Sequence, residues 1–229
     1  MIKTIIRNFT NYFLKGNKGL DDFKTYALNH VDPLQVDGFF HKYDAENLEK
    51  YFELIMHKLD NIISKGDVVI EVGCGTGRYL KRIETTFGTG VKLYGLDAIE
   101  ETLTNVTKKN VSNNVVLIAD DFIKTQTLQK GQFNVLFSIS VLQYIPFFKL
   151  NAFFNKMKEV LKKDGTGYLI FAPKKNKLPN FINSLLDFGF TNYDPELILA
   201  KLKKRFSIIE HQYIQVDGKN FGYYILFKN

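Results

Sequence analysis

The chain has 229 residues, 45% of them hydrophobic and 24% charged. That is enough apolar material for one sizeable core, and it excludes wholesale disorder. Lys and Arg outnumber Asp and Glu by 31 to 24, a net charge of +7 that favours acidic partners, but the excess is local. It gathers at Lys3, Arg7, Lys15 and Lys18 and again at Lys201, Lys203, Lys204 and Arg205, and runs of this kind are most often solvated faces. No specific nucleic-acid partner is therefore expected. Cys74 is the single cysteine, which excludes a disulfide within the chain. No stretch of about 18 apolar residues implies a transmembrane helix. Lys3, Arg7, Asn8 and Asn11 interrupt any signal-peptide core, so a cytoplasmic location is expected.

In chain order, residues 2–14 place Ile2, Ile5, Ile6, Phe9, Tyr12 and Phe13 at helical spacing with basic residues between them. This amphipathic helix is expected to pack against its own protein; contact with a membrane surface or a dimer interface is the alternative. Gly16 to Gly19 read as a linker. Pro33 and Asp37-Gly38 then interrupt a helical pattern, and a long helix follows Asp44, its candidate N-cap. After Gly66 the texture changes. Short apolar strands at Val68–Val72, Val91–Leu96, Val115–Ala119, Phe133–Ser138 and Thr166–Phe171 alternate with helices near 77–86, 99–110 and 147–162. Such alternation predicts a parallel sheet covered on both faces. Phe206–Val216 and Phe221–Phe227, separated by Asp217-Gly218-Lys219-Asn220, predict an antiparallel hairpin.

The most informative residues are Val69-Ile70-Glu71-Val72-Gly73-Cys74-Gly75-Thr76-Gly77-Arg78-Tyr79-Leu80, a strand running through alternating glycines into a helix. Glycine serves here because the turn leaving the strand demands unusual backbone angles and a ligand must approach the main chain closely. A dinucleotide loop would need G-x-G-x-x-G, but Arg78 and Leu80 stand where its last glycine would fall, so an NAD-dependent oxidoreductase is disfavoured. The Gly-Lys-Ser/Thr ending of a phosphate-binding Walker loop is also missing.

The E-x-G-x-G-x-G pattern of Glu71, Gly73, Gly75 and Gly77 resembles the first motif of the class I S-adenosylmethionine-dependent methyltransferases. Asp97, which ends the second strand 24 residues after Gly73, is where the resemblance implies an acid accepting both ribose hydroxyls. Asp120, Asp121 and Phe122 follow the third strand, where the family borders the adenine. Ser138 to Tyr144 resemble the family's fourth motif, with Gln143 where many relatives carry His or Glu; no base role is assigned to Gln143. Asp97 and Asp120 each have a local alternative, capping of the helix that follows. Cys74 is read as a small hydrophobe filling space.

The resemblance implies a Rossmann-like α/β fold: a doubly wound, mostly parallel seven-stranded sheet with a C-terminal antiparallel hairpin. It covers residues 66–229, leaving 1–65 as a helical N-terminal extension or lid. It implies S-adenosylmethionine as cofactor and transfer of its methyl group to an oxygen or nitrogen of an acceptor. A small molecule or sugar from a biosynthetic pathway is the first choice of acceptor; RNA or protein is the alternative, and a non-catalytic binding module a further one. The Asn/Asp-Pro-Pro-Tyr/Phe motif of DNA adenine amino-methyltransferases is not matched by Ser138-Ile139-Ser140-Val141. Candidate catalytic groups are His41, within the aromatic stretch Phe39-Phe40-His41-Lys42-Tyr43, and Tyr144; packing at a helix start is the alternative, and the favoured one, for His41, and packing equally an alternative for Tyr144. Residues 21–45 are expected to form a mobile lid completing the acceptor site.

Overall fold

The computed structural model describes residues 45–173 and 192–229. The amphipathic segment 2–14, His41 and all but the last residue of the 21–45 stretch lie outside the described residues. Helix α1 (Ala45–Ile62) is the long helix expected after Asp44. It buries Phe52, Ile55, Met56 and Leu59, which recur every three or four residues along one face. Lys58 Nζ donates to Glu210 Oε2 (2.7 Å), tying this helix to the far end of the sheet.

The strands are β1 (Val68–Val72), β2 (Lys92–Asp97), β3 (Val116–Ala119), β4 (Phe133–Ile139), β5 (Leu161–Phe171), β6 (Ser207–Val216) and β7 (Lys219–Lys228). They form one seven-stranded sheet in the order β3-β2-β1-β4-β5-β7-β6. β1 to β5 pair in parallel, and β7 enters antiparallel between β5 and β6. The chain winds outward from β1 to β3, then returns to β4 on the other side of β1. That reversal opens a crevice beyond the carboxyl ends of β1 and β4, where doubly wound folds bind ligands.

Side-chain alternation divides the core between the two faces of the sheet. Ile70, Leu136, Leu169 and Ile225 pack with helices α4 (Leu150–Val160) and α5 (Pro195–Lys203). Val69, Val135, Phe137 and Ile170 pack on the other face with α1 and α2 (Arg78–Phe87). The seventh strand forms by a two-residue turn. Asp217 and Gly218 both have positive φ (48° and 75°), the type I′ geometry that suits a tight hairpin, so Lys219 and Asn220 already belong to β7.

The structure departs from the sequence pattern in three places. The helix expected near 99–110, here α3, is in three pieces: Glu100–Thr102, a π-helical turn Leu103–Thr107, and Lys108–Asn110. β5 begins at Leu161 rather than Thr166, with an irregular register opposite Phe133 and Val135 and a positive φ at Asp164. Helix α5 was not anticipated, although its signals are present. The Asp194 carboxylate accepts from the Glu196 N–H (3.0 Å), Pro195 occupies the first turn, and Ile198, Leu199 and Leu202 are buried. The basic run at 201–205 docks this helix: Arg205 Nε donates to Asn155 Oδ1 (2.6 Å) and Lys201 Nζ to Asn151 Oδ1 (3.3 Å).

Candidate functional site

Beyond the end of β1 the chain turns through three glycines that have positive φ and different surroundings. The N–H groups of Gly73 and Cys74 both donate to Leu96 O (2.7 and 3.0 Å), which fixes the loop against the end of β2. A Cβ on Gly73 would stand 2.1 Å from Val141 Cγ2, so this glycine lets the segment after β4 close over the loop. A Cβ on Gly77 would meet Thr107 Cγ2 at 2.7 Å. Gly77 therefore brings the start of α2 against α3 and does not line the cavity. Gly75 is different. It lines the cavity, and nothing of the protein lies within 4 Å of where its side chain would be.

Asp97, at the end of β2, is buried under this loop. Its Oδ2 accepts from the Gly75 N–H and its Oδ1 from the Ile99 N–H, both at 2.9 Å. Burial raises its pKa above the ordinary carboxylate value, and the backbone donors oppose that rise. The capping alternative for Asp97 is not found: Ile99 is the N-cap of the helix that follows and no side chain caps it, and the Asp97 carboxylate instead braces the turn before that helix and the glycine loop. The π turn in α3 brings Thr107 into position. Its hydroxyl donates to Gly75 O (2.5 Å), and Asn110 Nδ2 donates to Thr76 O (3.0 Å). Neither residue was singled out from sequence, because the extra residue of a π turn has no signature in apolar spacing. Thr107→Val is expected to lower stability or cofactor affinity by about 0.5–1.5 kcal/mol, the net worth of one hydrogen bond. Parallel thermal melts and calorimetric titrations would measure both.

The rest of the wall comes from the ends of β3 and β4 and from α1. Asp120, Asp121 and Phe122 line it, with Asp121 Oδ1 accepting from the Ile123 N–H (2.9 Å) and the Asp120 N–H bonded to Asp97 O (3.0 Å). Glu71 is buried at the base. Ser138 does not line the cavity; its hydroxyl donates to Val72 O (2.9 Å) and joins β4 to β1. Cys74 is buried, and that burial, with the charges of Asp97 and Glu71, raises its thiol pKa well above the ordinary value, as suits an inert space-filler. Tyr144 lines the cavity, and burial first, then the Asp97 charge, push its phenol well above the ordinary value.

Leu48, Tyr51 and Phe52 of α1 form the opposite rim, so the N-terminal extension reaches the site even within its described part. The Arg78 guanidinium lies over the Phe52 ring (3.9 Å) and pairs with Glu49 (2.6 Å). The cavity volume is about 290 Å³. Among the described residues, no group of three or more His, Cys, Asp or Glu is placed to hold a metal ion. No described helix is long and apolar enough to cross a membrane.

The crevice fits the cofactor implied by the resemblance on an observation of its own: Gly75 lines the cavity with open space where a side chain would stand, so ligand atoms can approach its backbone. Residues 63–209 match the methyltransferase domain family. The chain is 29% identical over 182 residues to a probable cobalt-precorrin-6B C(15)-methyltransferase (decarboxylating) of Saccharolobus solfataricus, covering 76% of this chain and 86% of that protein. It is 32% identical over 131 residues to a probable tRNA (guanine(10)-N2)-dimethyltransferase of Methanothermococcus thermolithotrophicus, covering 49% and 74% respectively. The N-methyltransferase NodS of Bradyrhizobium japonicum, solved with S-adenosylhomocysteine, aligns with a TM-score of 0.66 at 14% identity over 91% of this chain and 97% of that one, which shows a shared fold. Because the family match runs through the glycine loop and every parallel strand, this chain belongs to the methyltransferase domain family and is a class I S-adenosylmethionine-dependent methyltransferase.

Proposed function

We propose that the enzyme methylates an oxygen or nitrogen of a small-molecule or sugar acceptor. The observation that carries this reading is the character of the acceptor side of the cavity. Tyr51, Phe52, Tyr79, Ile139 and Ile145 make it apolar and aromatic, and two cations line the cavity: Arg78, engaged by Phe52 and Glu49, and Lys149. An apolar wall suits a compact acceptor, whereas a nucleic-acid track needs a row of accessible cations along it. The precorrin relative is named for a small-molecule substrate; the tRNA relative and the net charge of +7 favour RNA as the second reading. Incubation with methyl-tritiated S-adenosylmethionine and separated cell fractions decides between them. Label in the small-molecule fraction is the expected result, and label concentrated in tRNA would replace this reading with the second.

In this reading Asp97 accepts hydrogen bonds from the two ribose hydroxyls, and Asp120, Asp121 and Phe122 border the adenine. The backbone at Gly73 and Gly75 lets the cofactor lie against the loop. The cofactor supplies an electrophilic methyl group, and the residues around it orient the acceptor for in-line attack and exclude water. Tyr144 acts as a hydrogen-bond donor that positions the acceptor, because burial and the Asp97 charge keep its phenol protonated. The difference in tyrosinate absorbance between wild type and Tyr144→Phe is expected to stay flat up to pH about 10, the ordinary tyrosine value. A tyrosinate titrating near neutrality would make Tyr144 a proton acceptor instead. His41, the other candidate base, lies outside the described residues.

A further inference from the structure

Gln143 sits in the short turn Leu142–Tyr144 that follows β4, lines the cavity, and is 2% exposed. Neither its amide oxygen nor its amide nitrogen has a hydrogen-bond partner among the described residues. Which atom is oxygen and which nitrogen therefore does not affect the argument, since both ends are unpaired. The turn itself is held firmly. Tyr144 N–H donates to Val141 O (2.9 Å), Ile145 N–H to Leu142 O (3.0 Å), and Tyr193 Oη to Ile145 O (2.5 Å). Buried amides without partners are rare, and a leucine would fill the same space without the cost of desolvation.

Gly75, Asp97 and the 120–122 segment lie at the ends of β1, β2 and β3, whereas Gln143 follows β4, in the segment that closes over the glycine loop at Val141. Ile139 and Ile145, also after or at the end of β4, line the same cavity. A glutamine amide presents two donors and an acceptor, carries no charge and does not titrate. Its complement is a neutral group offering both an acceptor and a donor, such as an amide, a lactam or a hydroxyl. A carboxylate or an ammonium set against it would be desolvated with no counter-charge from this residue.

We propose that Gln143 is the specificity-determining residue of the acceptor site and selects acceptors bearing a neutral amide-like or hydroxyl group beside the methylated atom. This rests on the methyltransferase reading above and adds to it the charge state of the group that is recognised.

The test uses the full chain saturated with S-adenosylhomocysteine and three probes of one shape: benzamide, benzoate and benzylamine. Binding is followed by NMR on the Gln143 side-chain amide, identified by its disappearance in Gln143→Leu. Benzamide is expected to move that signal and to bind about fivefold or more tighter than either charged probe, roughly the worth of one hydrogen bond. Gln143→Leu is expected to erase the preference, keep S-adenosylhomocysteine affinity within about twofold, and melt higher than wild type because an unpaired amide has been removed. A benzamide preference that survives in Gln143→Leu, or no benzamide binding at all, overturns the proposal. So does a loss of tenfold or more in S-adenosylhomocysteine affinity, which would assign the amide to the cofactor. Wild-type protein that fails to bind S-adenosylhomocysteine would overturn the cofactor reading itself, an outcome distinct from the others.

Discussion

Gly75→Val is expected to reduce S-adenosylmethionine binding below detection by calorimetry while the protein still folds. Two effects act together. At φ +48° a β-branched side chain is strongly disfavoured, so the loop must distort. On the native loop path the new side chain would also occupy open space beside the cavity that Gly75 lines, where no protein atom lies within 4 Å. The lack of protein contact makes the loss specific to the ligand. A second variant separates the two effects. Asn tolerates positive φ, so Gly75→Asn retains the loop path yet still places atoms in that space. It too is expected to bind poorly, with a melting temperature near wild type. Gly73→Ala is the contrasting control: its methyl would collide with Val141, so it is expected to destabilise the protein by displacing the segment after β4. If Gly75→Asn bound the cofactor normally, the space beside Gly75 would not be where the cofactor lies.

The contrast between these glycines shows what sequence spacing resolves. The strand–loop–helix pattern from Val69 to Leu80 located the loop, and the alternation after Gly66 yielded β1 to β4 nearly residue for residue but missed the first five residues of β5. Both signals are local: apolar periodicity and glycine spacing reflect the chain's own geometry. Spacing did not divide the labour among Gly73, Gly75 and Gly77, because that depends on Val141 and Thr107, which are remote in sequence. The π turn in α3 was illegible for a related reason. Its effect is to move Thr107 onto the Gly75 carbonyl, a tertiary contact that leaves the apolar pattern of residues 99–110 almost unchanged. Gln143 was passed over because a glutamine cannot act as a base; what makes it informative is that neither end of its buried amide has a partner among the described residues. Helix α5 is the opposite case. Asp194-Pro195-Glu196 and the buried Ile198, Leu199 and Leu202 were legible, and the adjacent basic run drew attention from them.

Asp97→Ala is expected to weaken S-adenosylmethionine binding by about 1.5–3 kcal/mol, roughly tenfold to 150-fold, the range for hydrogen bonds to a charged group. Alanine also removes the acceptor for the Gly75 and Ile99 N–H groups, so part of that loss would come from a loosened loop. Asp97→Asn reduces that ambiguity, since it keeps an acceptor and loses the charge. The pH dependence gives a sharper signature. The pKa of Asp97 is raised in the folded protein, burial being the largest cause. A raised carboxylate pKa means that the folded state binds the proton more tightly than the unfolded state. The stabilising contribution of the protonated group is present at low pH and is lost as pH rises through the folded pKa. Cofactor binding runs the other way, because only the ionised carboxylate accepts both ribose hydroxyls. Acidification from neutral pH should therefore weaken cofactor affinity, with a midpoint above the ordinary aspartate value of 3.8, while this one site's contribution to stability grows. In Asp97→Asn both dependences should flatten, as seen by subtracting its calorimetric and melting profiles from those of wild type. If Asp97 served only to brace the turn after β2, the stability difference would persist and the affinity of the two proteins would show the same pH dependence. Opposite slopes in the two measurements, both abolished by one substitution, are the pattern that a buried ribose-binding acid alone produces.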